Sequence, residues 1–167
     1  MIRFVLLFIV IQAALLLLEL LAPVQRAVID PWTGLLAQAS AALMTLFDPD
    51  VLAQGRVIHS ASTGFGVSIE AGCNAVEASI ILIAGVIAFP SAWRLKLAGI
   101  AIGVLAVQAV NLLRIISLYY LGKWNTTVFE FAHLYLWQAL IMLDVLVVWL
   151  LWVRVVARSK VRSLHAG

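Results

Sequence analysis

The chain has 167 residues, of which 65% are apolar and only 11% charged, and its mean hydropathy is +1.11. Soluble domains carry about 25% charged residues, so this balance excludes an ordinary soluble protein and points to an integral membrane protein folded as one compact domain. The net charge of +3 is sorted by position: Arg3, Arg94, Lys96, Arg154, Arg158, Lys160 and Arg162 lie at one set of loop ends, and all eight acids lie elsewhere. By the positive-inside rule those basic ends, and with them both termini, face the cytoplasm.

Phe4 to Leu21 is long and apolar enough to span, since about 20 residues are needed. Pro23 and Arg26 follow where a signal-peptidase site needs small residues, so the segment is expected to remain as an uncleaved span. Glu19 near its outer end reads either as an interfacial acid or as a contact to a site, acids inside membranes being costly. Asp30-Pro31 is expected to open a short helix, with Asp30 as N-cap and Pro31 at the first helical position. Leu35, Leu36, Ala39, Leu43 and Leu46 fall on its apolar face. It ends by Phe47, too short to span, and is placed in the outer interface.

Asp48-Pro49-Asp50 breaks that helix, and the next twenty residues are rich in glycine and β-branched residues. Arg56 to Ser60 and Phe65 to Glu70 are expected to form a β-hairpin across Ala61-Ser62-Thr63-Gly64, packed on the outer membrane face. Three further spans are expected from about Cys73 to Phe89, Leu97 to Leu121 and Glu130 to Val156. The predicted fold is therefore all-α, with about four transmembrane helices, an interfacial helix and a short extracytoplasmic hairpin. Residues 1–47 hold the first span and interfacial helix, 48–156 the core, and 157–167 a basic cytoplasmic tail that anchors topology and headgroups.

Cys73 is the only cysteine, so it can form no internal disulfide or CxxC pair. A helix N-terminus lowers the pKa of a thiol placed there, and the resting protonation of Cys73 is left open by the sequence. Helix rise sets the depth of two possible partners. Arg114 lies 18 positions beyond Lys96, roughly 27 Å along its helix. His133 lies 21 positions before Arg154, roughly 31 Å along the last one. The hydrocarbon core is about 30 Å thick, so Cys73, Arg114 and His133 reach one level at the outer boundary. Taken singly, each has a plainer reading: an inert buried thiol, a snorkelling arginine and an interfacial histidine. Together they suffice for acyl transfer, with a thiolate nucleophile, an imidazole acid-base and a guanidinium that stabilises negative charge.

Supporting candidates are Glu77, one turn after Cys73 on the same face; Asn111, between Gln108 and Arg114 in a polar stripe; and Glu130, one turn before His133 and able to orient its ring. Asn74 either offers an amide to an oxyanion or helps begin the helix. Asp144 and Gln138 lie deeper and are expected to make interhelical hydrogen bonds; Trp124, Tyr135 and Trp137 fit an aromatic belt. His59 and His165 read as loop residues. One thiol and scattered histidines lack metal-ligand spacing, no glycine-rich phosphate loop is present, and nothing suggests a cofactor or nucleic acid.

At these residues the chain resembles the exosortase/archaeosortase family of bacterial and archaeal membrane transpeptidases. The matching pieces are Gly72-Cys73-Asn74-Ala75, Asn111-Leu-Leu-Arg114 and Phe131-Ala-His133, and the resemblance covers about residues 50 to 156. Gly72-Cys-Asn-Ala-Val-Glu77 and Ala132-His-Leu-Tyr-Leu-Trp-Gln138 look most like exosortase H. Many members are longer, so the chain resembles their catalytic core with a reduced N-terminal part. That family often carries a glycine after the Cys-Asn pair, where this chain has Ala75. The resemblance implies a Cys73 nucleophile with Arg114 and His133, in the inner membrane with its site on the periplasmic side. Its partners would be the C-terminal sorting signal of a secreted protein (motif, transmembrane helix, basic tail), an envelope acceptor and membrane lipids. A membrane cysteine acyltransferase, a small transporter using Glu77, Arg114 and Asp144, and a non-enzymatic assembly subunit remain as alternatives.

Overall fold

A computed structural model describes the backbone of residues 2–165 and side chains through residue 159. Helix α1 (Ile2–Glu19) leads through Leu20-Leu21 into α2 (Ala22–Val24), a π-helical turn (Gln25–Ile29) and α3 (Asp30–Met44). A three-stranded antiparallel sheet follows, made of β1 (Val51–Gln54), β2 (Val57–Ser60) and β3 (Gly66–Ser68) in that spatial order. Helices α4 (Val76–Ala88), α5 (Trp93–Trp124) and α6 (Thr126–Phe131) come next, and a second π-helical turn (Ala132–Leu136) joins α6 to α7 (Trp137–His165).

Among the described residues, three helical stretches are long and apolar enough to cross a membrane: Ile2–Glu19, Trp93–Trp124 and Thr126–Ser159. The expected fourth differs. Helix α4 has 13 residues, about 20 Å at the standard rise, and starts three residues later than predicted. Helix α5, with 32 residues, is about 48 Å long and rises well past the end of α4. Gly99 permits the α5–α7 packing, since a Cβ there would collide with the Trp152 indole. Trp152 in turn donates to the Leu95 carbonyl at 2.8 Å.

Other expectations need correction. The expected break before Asp30 is absent. Leu21 is extended, Pro23 stands in the first turn of α2, and helical backbone runs from Ala22 to Met44. Asp30 makes no capping bond; its N–H reaches back to the Gln25 carbonyl. This wider turn accommodates Pro31, which lacks the N–H of a regular α-turn. The buried face of α3 is Thr33, Leu36, Ala37, Ser40, Ala41 and Met44, while Leu35, Leu43 and Leu46 are exposed. Leu36 and Met44 thus pack inward beside the small and polar Thr33, Ala37, Ser40 and Ala41, while Leu35 and Leu43 of the expected apolar face point outward.

The expected hairpin is present as β2–β3, with Ile58 opposite Val67. Sequence reading missed β1, which pairs with β2 through Val51↔Ser60 to Gln54↔Val57 across Gly55-Arg56, Gly55 taking φ +58°. His59 is accordingly a strand residue, opposite Leu52. Helix α7 runs on through His165, beyond the predicted end at Val156 and into the expected tail.

Two apolar clusters hold these elements together. The first joins α3, the sheet and the C-terminal half of α5 through Leu36, Met44, Val51, Ile58, Ile69 and Tyr119. The second joins α4, α5 and α7 through Ala78, Leu82, Val86, Val107, Ile141 and Trp152. Cys73 packs against the first cluster and Ala75 belongs to the second. The Gly72–Ala75 turn therefore sits at the seam between them.

Candidate active site

The turn leading into α4 is built from backbone that few residues adopt. Gly72 takes φ +82° and Ala75 φ +54°, the latter the one positive-φ residue among those described that is not glycine. Left-handed backbone costs an L-residue with a Cβ roughly 1–2 kcal/mol. Ala75 occupies the position after Cys-Asn, so the frequent glycine there in the resembled family has a steric reason. The expectation of Cys73 as the first residue of the helix is corrected: the thiol lies on the turn, three residues before Val76.

A buried polar layer supports this turn from below. Asn74, 1% exposed, accepts from the Val76 N–H at 3.1 Å and donates to Thr33 Oγ1 at 3.3 Å. Its side chain is committed to starting α4 and tying the turn to α3, so of its two readings the structure favours the local one. Gln108 donates from Nε2 toward the carbonyls of Asn74 (3.3 Å) and Ala75 (3.4 Å) and toward Ser79 Oγ (3.4 Å). Asn111, fully buried one turn from both Gln108 and Arg114, pairs its amide with no described residue.

Cys73, Arg114 and His133 come together above this layer. Arg114 is 2% exposed; its Nη1 donates to the Gly72 carbonyl at 3.0 Å and its Nη2 approaches Cys73 Sγ at 3.7 Å. The sulfur lies 3.7 Å from His133 Nδ1 and 3.9 Å from Nε2. It is nearly equidistant from the two ring nitrogens, and a small ring rotation brings either into line. Glu77 accepts from the Gly72 N–H at 2.9 Å, so the Gly72 peptide is held by Glu77 on one side and Arg114 on the other. Glu19 is buried at the end of α1, near enough to Glu77 for the two carboxylates to interact. Its backbone carbonyl accepts from Gln25 Nε2 at 2.7 Å.

The expected role of Glu130 fails. It is exposed and makes no hydrogen bond to His133. The ring is positioned instead by Phe129, four residues earlier, parallel to it within 1° at 5.6 Å between centroids. Glu130 and Phe129 both lie about one turn from His133, and spacing alone does not separate them. Nor does the π-helical turn carrying His133 leave a simple sequence signal. Asp144 and Gln138 likewise make no interhelical hydrogen bond among the described residues: Gln138 is exposed and Asp144 Oδ2 has no partner.

The thiol is not acidified at rest. Burial pushes the Cys73 pKa above its ordinary value; the Arg114 guanidinium acts in the opposite direction, and Glu77 adds to the rise. Desolvation comes first, and the Glu77 carboxylate in the first turn of α4 acts with it in favour of the neutral thiol. A neutral thiol therefore lines a pocket of about 140 Å³ together with Val67–Ala71, Ile115, Leu118, Phe129 and His133.

The site thus offers a nucleophile, an adjacent imidazole and a fixed cation, open to a small pocket beside a sheet. No curated protein and no solved structure matches the chain. A family model for transmembrane exosortases matches residues 3–153, which include the whole constellation. The chain belongs to the transmembrane exosortase family.

Proposed function

We propose that this protein is a cysteine peptidase and transpeptidase that cleaves the C-terminal sorting signal of exported proteins. The chain would cross the bacterial inner membrane four times, α4 being the short crossing, with both termini cytoplasmic and the Cys73 pocket on the periplasmic side. The observation that carries this reading is the contact of one thiol with both an imidazole and a guanidinium, at 3.7 Å each, in a family of transmembrane exosortases.

The geometry orders the chemistry. A neutral Cys73 requires a base at the moment of attack. His133 takes the Sγ proton as sulfur bonds to the scissile carbonyl carbon, and the carbonyl electron pair moves onto oxygen. The Gly72 N–H is engaged by Glu77 and the Cys73 N–H by the Glu70 carbonyl at 2.9 Å. Arg114 Nη2 is then the charged donor within reach of the developing oxyanion. Collapse breaks the C–N bond, His133 returns the proton to the departing amine, and the transmembrane segment leaves with its new N-terminus. The thioester is resolved when an acceptor nucleophile, deprotonated by His133, attacks the carbonyl and expels the Cys73 thiolate, which is reprotonated.

The test is co-expression with an exported reporter carrying a motif, a transmembrane helix and a basic tail, taken from a secreted protein of the same organism. Wild type is expected to shorten the reporter on a gel, and Cys73→Ala and His133→Ala to leave it intact. Processing by either variant would remove the assignment.

A further inference from the structure

The sheet beside Cys73 has an open edge. The spatial order β1-β2-β3 leaves β3 paired on one side only. Ser60 N–H bonds the Phe65 carbonyl and Ile69 N–H bonds the Arg56 carbonyl, at 2.8 and 2.9 Å. With Ile58 opposite Val67 between them, the alternation of an antiparallel ladder turns the N–H and C=O of Gly66 and Ser68 away from β2. Both residues are exposed, whereas Ile69 is buried beneath the sheet. The same stretch, Val67 through Ala71, lines the Cys73 pocket together with Phe129 and His133. Free edges recruit extended peptides through main-chain hydrogen bonds, and proteins normally blunt or cover those they do not use.

We propose that β3 is the docking edge for the substrate: an extended segment of the exported polypeptide adds to the sheet as a fourth strand and delivers its scissile carbonyl to Cys73. This rests on the peptidase reading above. The direction follows from chain order. The end of β3 leads into Gly72 and Cys73, and the transmembrane helix of the substrate must return to the bilayer after the cut. The residues upstream of the scissile bond therefore run alongside β3, parallel to it. Main-chain pairing fixes the register of the carbonyl without demanding particular side chains. Selectivity is left to the alternate positions that reach the pocket between Glu70 and Phe129.

The test uses the full-length protein in membranes with the same tail-bearing reporter. Ser68→Pro removes one outward N–H without touching the β2–β3 ladder, and is expected to slow processing about tenfold, the weight of one good hydrogen bond. Ala53→Pro makes the same change on the outward side of β1, away from Cys73, and is expected to stay within about twofold. A photo-cross-linking residue at Ser68, in a Cys73→Ala background that holds the reporter uncut, is expected to join it upstream of the cleavage point. The same residue at Leu52 is expected to join nothing. This second measurement stands even if Ser68→Pro fails to fold. A reporter cut by wild type but not captured at Ser68, or captured downstream of the cut, would overturn the docking edge and leave the peptidase reading intact. A reporter neither cut by wild type nor captured would overturn both.

Discussion

Arg114 holds Cys73 from a different helix by two routes, with Nη1 on the carbonyl of the preceding residue at 3.0 Å and Nη2 at 3.7 Å from the sulfur itself. Only a planar, forked cation makes both contacts at once. Arg114→Lys is therefore expected to keep the charge but lose one arm of the grip. Reporter processing should fall about tenfold or more, the range for losing a charged hydrogen bond of 1.5–3 kcal/mol. Wild-type rates with lysine would show that charge alone suffices.

The resting state of the thiol can be read directly, because Cys73 is the only cysteine. Its pKa is raised by burial and pulled partly back by Arg114. The thiolate is the reactive form, so alkylation at neutral pH should be slower than for a free cysteine and climb only above the free-thiol range near 8.5. Arg114→Gln removes the one nearby cation and should move the profile further to alkaline pH. A profile displaced toward acid, in wild type or variant, would contradict the assignment of burial as the dominant effect.

Phe129 and Glu130 provide a paired comparison. Stacked aromatic pairs contribute about 0.5–1.5 kcal/mol beyond their burial, so Phe129→Ala is expected to free the His133 ring and lower processing by roughly 2- to 12-fold. Glu130→Gln, at an exposed residue with no bond to the ring, should be close to neutral. The opposite ranking would mean that the carboxylate, not the phenyl ring, orients the imidazole.

Ala75 carries the backbone cost of the turn. Glycine there relieves about 1–2 kcal/mol of left-handed strain but gives up a buried methyl group, about 0.8 kcal/mol, and stiffness in the unfolded chain, about 0.4–1 kcal/mol. Ala75→Gly should consequently be near neutral in thermal unfolding. Ala84→Gly, fully buried inside α4, has no strain to relieve and should cost about 2 kcal/mol. Equal losses at the two positions would show that Ala75 is unstrained.

The outer sheet has its own pH dependence. The carboxylate of Asp50 accepts from Ser60 Oγ and from Ser62 N–H and Oγ, the latter two at 2.8 Å, and these bonds hold its pKa below the ordinary value. A carboxyl depressed on folding stabilises fully above its unfolded pKa, about 3.9, and the contribution is lost as pH falls through the folded value. Protection of the β2 amides, taken relative to their intrinsic exchange rates at each pH, should fall below about pH 4 in wild type, and Asp50→Asn should flatten that dependence. An unchanged acid limb in the variant would mean that another group controls it.

How much of this was legible in the sequence varies with the kind of structure. The meeting of Cys73, Arg114 and His133 followed from depth, because a helix advances by a fixed rise and Lys96 and Arg154 mark its inner end. Strand β1 was hidden because Leu52, Ala53 and Gln54 favour helix, and only pairing with β2 makes them a strand. The π-helical turns at Gln25–Ile29 and Ala132–Leu136 leave no hydrophobic period to detect, and with the second went the neighbour of His133. The inward face of α3 was legible only in part: Leu36 is buried as its apolar face suggests, but Leu35 and Leu43 are exposed and Thr33 and Ser40 are buried. The resting protonation of Cys73 stayed open for a related reason: position near a helix start is visible in sequence, but the depth to which a turn is buried is not.

The central claim is that Cys73 forms a thioester with an exported polypeptide and that His133 and Arg114 make this possible. Its most direct test is mass spectrometry of Cys73 after the tail-bearing reporter is trapped during turnover in membranes. The account predicts a hydroxylamine-sensitive adduct on Cys73 that ends at the reporter's cleavage point, absent in Cys73→Ala and depleted in His133→Ala and Arg114→Lys. Reporter shortened at the expected place by Cys73→Ala, or a Cys73 adduct carrying a fatty acyl chain in place of a peptide, would contradict it.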